Sequence, residues 1–238
     1  MYTRMSTIEH VRKSLQPIER LYQKNCVKWA GTTTDTRERL SEVVAKALLD
    51  LGVKELLAQI LPIKRKRAYK VHAKERMRPT AEKSPRREEI LARQLYRNLS
   101  DATLGPLGRV REYQVPLKST SKKGEDSGVG KIDLISKEGG GAFHLIELKF
   151  DNGETLLRAV LEVATYYHQL DHKGFLRDFG QADATIKKSV ALFELRGCTA
   201  IEEAKELLGG KRPQLARLVR ELEVGIYQLH VASAVPLV

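Results

Sequence analysis

Between residues 131 and 150 the chain reads Lys-Ile-Asp-Leu-Ile-Ser, then three consecutive glycines at 139–141, then Ala-Phe-His-Leu-Ile-Glu-Leu-Lys-Phe. Both arms alternate with a period of two, and the glycines supply a tight turn, so the segment predicts an antiparallel hairpin. A turn centred on Gly140 sets Asp133 directly opposite Glu147, on the same face. Directly opposed Cβ atoms lie about 4.5–5.5 Å apart. Two carboxylates at that range repel by about 3–4 kcal/mol at an effective dielectric near 20. Something positive has to sit between them.

Lys131 and Lys149 share that face. One reading is a solvated surface on which the two lysines pair diagonally with the two acids. Against it, the opposite face carries Ile132, Leu134, Ile146, Leu148 and Phe150, and the charged face itself turns apolar at Ile135, Leu145 and Phe143. A sheet covered on both sides with four charges at one end suggests a site, and Mg²⁺ (or Mn²⁺), a cation of oxygen donors, suits two carboxylates.

The surroundings predict an α/β domain. A helix over 84–99, opened by Ser84 and Pro85, presents Leu91, Leu95 and Leu99 on one face. A strand over 108–117 follows, then a Ser/Lys/Gly-rich loop at 118–129, the hairpin, an amphipathic helix over 155–170 and a strand over 189–195. Thr199 and Glu202 predict a capping box for a further helix, Pro213 opens another, and 224–231 reads as a last strand. Upstream, 8–23 reads as one helix, Asp35 and Glu38 as a capping box for a second helix ending at Gly52, and 53–61 as another turn or two. The boundary expected from this pattern places a helical region at 1–83 and an α-β-β-β-α-β domain with a mixed central sheet at 84–238.

The order of elements and the residues Gly130-Lys131-Ile132-Asp133, a hairpin, then Ile146-Glu147-Leu148-Lys149 resemble the PD-(D/E)xK nuclease superfamily, with its restriction-endonuclease-like fold. The resemblance spans about residues 84–196 and departs from the family in having Ile132 where proline is usual. It implies a metal-dependent nuclease hydrolysing phosphodiester bonds, DNA being the expected substrate. Asp133 and Glu147 would bind Mg²⁺, and Lys149 would activate or stabilise the attacking water. An upstream helix often adds a glutamate; Glu88 faces the core with Leu91 and Leu95 and is preferred over Glu89. The exonuclease-like branch carries Gln-x-x-x-Tyr on the following helix, where this chain has Glu162 and Tyr166, with Arg158 on the same face. The rival is a nuclease-like binding module without turnover, or a subunit of a DNA-processing assembly.

Charge points to the same partner. Lys and Arg number 42 against 30 acids, a net charge of +12. Residues 62–87 hold eleven Lys/Arg and two Glu. Within that strip Lys64, Arg65, Lys66, Arg67 and Lys70 are expected to contact nucleic-acid phosphates, with Tyr69 and His72 lying against sugar or base; a solvated linker is the alternative. Glu112 reads either as a neighbour of the metal site or as surface. His144 is expected to pack against a helix layer, and His168 and His172 to mark a helix end. Cys26 and Cys198 have neither zinc nor disulfide-framework spacing, which favours a reducing cytoplasm. No apolar run is long enough for a membrane span, and the N-terminus lacks an apolar signal core. The sequence leaves open a homodimer or a partner protein.

Overall fold

Strand pairing follows the hairpin arithmetic. In the computed structural model, which describes residues 2–72, 87–99, 103–118, 129–150, 154–193, 198–230 and 233–236, β2 (Lys131–Lys137) pairs antiparallel with β3 (Phe143–Lys149) in the register Leu134↔Ile146 and Lys137↔Phe143. β1 (Arg109–Pro116) flanks β2 antiparallel. β4 (Ile186–Phe193) and β5 (Val224–His230) continue the sheet parallel to β3, and β6 (Ser233–Pro236) closes it antiparallel. Among the described residues the sheet is mixed, with six strands in chain order.

Parallel neighbours need a crossover, and the helices supply it. α6 (Leu156–Gln169) and α7 (His172–Asp178) join β3 to β4, while α8 (Thr199–Leu208) and α9 (Pro213–Glu221) join β4 to β5. α5 (Arg87–Leu99) covers the other face, where Ala92, Leu95 and Tyr96 meet Val110, Leu134, Ile146 and Leu148. On the first face Leu157, Val160, Leu161 and Ala164 of α6 pack with Ile135, Leu145, Val190 and Leu192. The molecule is therefore an α/β layered fold, both faces of β3 are buried, and its seven side chains have almost no contact with water. Truncating a fully buried leucine such as Leu161 would cost about 2–5 kcal/mol.

The N-terminal helices α1 (Arg4–Ser14), α2 (Asn25–Lys28), α3 (Leu40–Asp50) and α4 (Val53–Ala58) share that first core: Val11, Leu21, Val44 and Leu57 belong to the same cluster as α6. Several local expectations need correcting. The helix expected over 8–23 stops at Ser14 and resumes as a 3₁₀ segment, Ile18–Gln23, because Pro17 removes a donor and clashes with the preceding turn. Asp35 and Glu38 do not cap the helix that follows them. Asp35 accepts the Arg4 and Thr36 amides, and α3 starts later, at Leu40. Thr199 is the first residue of α8 rather than its cap. α7 and β6 have no counterpart in the sequence pattern. Ser84 and Pro85 lie outside the described residues, as does most of the 118–129 loop.

Candidate active site

The β2–β3 ladder stops one pair short of the acids. Past Leu134↔Ile146 the backbone amide of Leu148 donates to a carboxylate oxygen of Asp133 (3.0 Å). A side chain here takes the place of a backbone partner, and the two strands open around it. On the other side of β2, the pairs Tyr113↔Leu134 and Val115↔Ile132 set Gln114 opposite Asp133. Its side-chain amide donates to the second Asp133 oxygen at 2.7 Å. Gln114 has a φ of +46°, a left-handed conformation that costs a non-glycine residue about 1–2 kcal/mol. Such strain is characteristic of positions where a side chain has to be aimed.

Lys149, only 2% exposed, stands among the acids. Its Nζ lies 2.6 Å from Glu147 Oε1, 2.6 Å from Glu154 Oε2, 3.6 Å from Glu162 and 3.8 Å from Glu88. The contact with Glu147 is an aligned hydrogen bond; Glu154 Oε2 is in ion-pair range but is buried without a hydrogen-bond partner. Burial works against the ammonium, yet Glu147, Glu162, Glu154 and Glu88 outweigh it and hold the Lys149 pKa well above its ordinary value. The carboxyls feel the reverse. Burial raises Asp133 to about 6, opposed by Lys149 and the Leu148 amide. Burial, with help from Asp133, Glu154 and Glu162, takes Glu88 to about 7 against the pull of Lys149. Glu147 is raised well above the usual range by burial, then by Asp133 and Glu162.

α6 contributes a stripe at four-residue spacing. Glu154 pairs with Arg158, Arg158 lies 3.9 Å from Glu162, and the Tyr166 hydroxyl donates to Glu162 at 2.8 Å. Thr155 starts the helix by accepting the Arg158 amide, and its own hydroxyl donates to the Val27 carbonyl, which ties the site to the N-terminal helices. Tyr166 also explains Gly130: a Cβ there would sit 1.9 Å from its hydroxyl oxygen.

These side chains line a cavity of about 550 Å³, with six carboxylates (Glu88, Glu89, Asp133, Glu147, Glu154, Glu162) against Lys131, Lys149 and Arg158. The donors are carboxylate oxygens, the ligand class of Mg²⁺ and Mn²⁺, and negative charge is in excess, so in chemistry the residues fit a hard dication. Among the described residues no three potential ligands stand converged on one point; the Lys149 ammonium is what the acids surround.

Glu88, Asp133, Glu147, Lys149, Arg158, Glu162 and Tyr166 are thus brought together. The described residues 62–72 of the basic strip do not line this cavity. Ile63 hydrogen-bonds the Gln169 carbonyl at the far end of α6, seven residues or about 10 Å of helix beyond Glu162. Lys64, Lys66, Arg67 and Lys70 are exposed there, while Arg65 is half-buried over the Tyr69 ring at 4.6 Å. Two expectations for this segment fail. Tyr69 is 1% exposed and packs edge-on to Phe175, so it is a core residue that cannot meet a base. His72 is committed to Glu112, whose buried carboxylate takes its backbone amide and faces its Nδ1 at 3.0 Å. Glu112 is accordingly neither at the cavity nor on the surface. Residues 73–86 lie outside the described ones. His144 is held by Ser189 and Glu138, and His172 by the Tyr167 carbonyl.

Gln114 and Glu154 escape a reading of the sequence alone. Glu154 completes the spacing 154-158-162-166 and is legible one step before Arg158. Gln114 depends on the register shift between Val110 and Glu112 in β1, which no local pattern announces. No family model, curated protein or solved structure matches this chain.

Proposed function

We propose that the protein is a divalent-cation-dependent nuclease of the PD-(D/E)xK kind, with a restriction-endonuclease-like fold, acting on DNA. The observation that carries this reading is the meeting of Asp133, Glu147, Glu88 and Lys149 in one cavity, where the β2–β3 ladder opens. Asp133, Glu147 and Glu88 would hold Mg²⁺ or Mn²⁺, which when bound acidifies water and neutralises phosphate charge. Gln114 and the Leu148 amide hold the Asp133 carboxylate in one orientation. In the cation-free protein the acids around Lys149 favour its ammonium form. Its part would be to orient the attacking water and to stabilise negative charge developing on the phosphate. The exposed Lys64, Lys66, Arg67 and Lys70 would grip the nucleic-acid backbone away from the cavity. Two free, buried cysteines suit a reducing compartment, and no helix among the described residues is long and apolar enough to cross a membrane.

The ammonium among the carboxylates favours one second reading, a nuclease-like module that binds nucleic acid with Lys149 as its permanent counter-ion. Incubating the pure protein with linear DNA, supercoiled DNA and RNA, with and without Mg²⁺ or Mn²⁺, separates the two. Cleavage that requires the cation is the expected result. Binding without cleavage of any form would put the module in the enzyme's place.

A further inference from the structure

Lys149 has two close carboxylates, and they belong to different elements. Glu147, two residues earlier on β3, accepts its hydrogen bond; Glu154 approaches from the start of α6 at the same 2.6 Å. Under the nuclease reading, Glu147 has a second duty toward the cation. An oxygen lone pair that accepts the lysine proton is not available to a metal. If Glu147 turns to the cation, the buried ammonium loses its aligned hydrogen bond, and a buried donor left without an acceptor is unfavourable.

Glu154 is preset to take over. It directly precedes Thr155, which is fixed at both ends, to the Arg158 amide and the Val27 carbonyl. Its Oε1 is engaged by Arg158. That leaves Oε2, buried without a hydrogen-bond partner and in contact with Nζ. Glu162 cannot substitute: it is 3.6 Å away, and its other oxygen holds the Tyr166 hydroxyl.

We propose that Glu154 is a positioning residue that receives the Lys149 ammonium when Glu147 engages the cation, so that cation and lysine occupy the site together. This rests on the nuclease reading. Glu154 thereby acts on the cation through Lys149 and makes no bond to it. Without Glu154, the lysine stays on Glu147 and competes with the metal.

Calorimetric titration of Mn²⁺ into the full chain tests this in four backgrounds: wild type, Glu154→Gln, Lys149→Met and the double variant. Glu154→Gln is expected to weaken cation binding about tenfold when Lys149 is present and less than about twofold when it is replaced, because coupled residues are non-additive. Equal weakening in both backgrounds would make Glu154 a direct ligand and overturn the proposal, as would no weakening in either. Should Lys149→Met fail to fold by circular dichroism, Lys149→Gln takes its place. Absence of binding in every background, wild type included, would remove the nuclease reading and this proposal with it. Binding with additive losses removes only the latter.

Discussion

Two buried clusters of charge in this molecule look alike in composition and differ in balance. Arg212, 5% exposed, joins Glu203 at 2.9 Å and Glu206 at 2.7 Å and donates to Ser41. Glu203 spends its other oxygen on the Leu156 amide, and Glu206 spends its own on Arg39. Two cations meet two carboxylates and every carboxylate oxygen has a donor. That network ties α3, α6, α8 and α9 together, and nothing in it is left over for a ligand. Around Lys149 the acids outnumber the cations, and Glu154 and Glu162 each keep a buried oxygen without a hydrogen bond. Buried charge alone is no mark of function.

Breaking the balanced cluster is expected to have the largest effect on stability. Arg212→Met leaves the buried Glu203 without a cation and Glu206 with Arg39 alone, and removing one partner of a buried ion pair costs about 3–5 kcal/mol. Chemical denaturation measures this, and cleavage per folded molecule should be unchanged. In the unbalanced cluster the loss falls on rate instead. Lys149→Ala removes a preorganised charge and is expected to slow cleavage about 10²–10³-fold, or roughly 3–4 kcal/mol, with DNA affinity near that of wild type in a gel-shift assay. Cleavage at the wild-type rate would misplace the centre.

Acidity sharpens the contrast further. A carboxyl whose folded pKa is raised binds its proton more tightly folded than unfolded. Its stabilisation is complete below the unfolded value and is lost as pH rises through the folded one. For Asp133, raised to about 6, the cation-free protein should lose about 3 kcal/mol between roughly pH 4 and pH 7, and Glu88, at about 7, extends that window upward. Thermal melts across this range should show the decline, and Asp133→Asn should flatten it and raise cation-free stability at neutral pH. A wild-type protein that grows more stable from pH 5 to 7 would speak for a satisfied surface cluster. The smallest effect belongs to the basic strip. Replacing Lys64, Arg65, Lys66 and Arg67 should flatten the salt dependence of DNA binding, by about 0.9 in log–log slope for each phosphate no longer neutralised. The half-buried Arg65 is expected to contribute least. An unchanged slope would return the strip to being a linker.

The hairpin is legible in the sequence because three cues agree: the alternation of both arms, the glycines at its centre, and acids of equal parity. The observed register, Leu134↔Ile146, is the one a turn centred on Gly140 gives, and the ladder ends before it reaches Asp133 and Glu147. What stays hidden depends on packing between distant segments. The strip's dense positive charge masks Tyr69, whose inward turn depends on Phe175 more than a hundred residues away. Gln114 is hidden by a one-residue register shift, and with a period of two such a shift exchanges the faces of a strand. Glu154 lies one residue before the helix cap, where a periodicity count naturally begins too late.

The central claim is that the unbalanced cluster is a cation site and the balanced one is not. Titration of Mg²⁺ at neutral pH into the wild type, Asp133→Asn and Arg212→Met, followed by calorimetry, tests it most directly. The expected result is saturable binding to the wild type, equal binding to folded Arg212→Met, and an affinity lowered at least about tenfold by Asp133→Asn, in keeping with the loss of metal-site interactions elsewhere. Binding that is absent from the wild type, or unchanged by Asp133→Asn, would contradict the account.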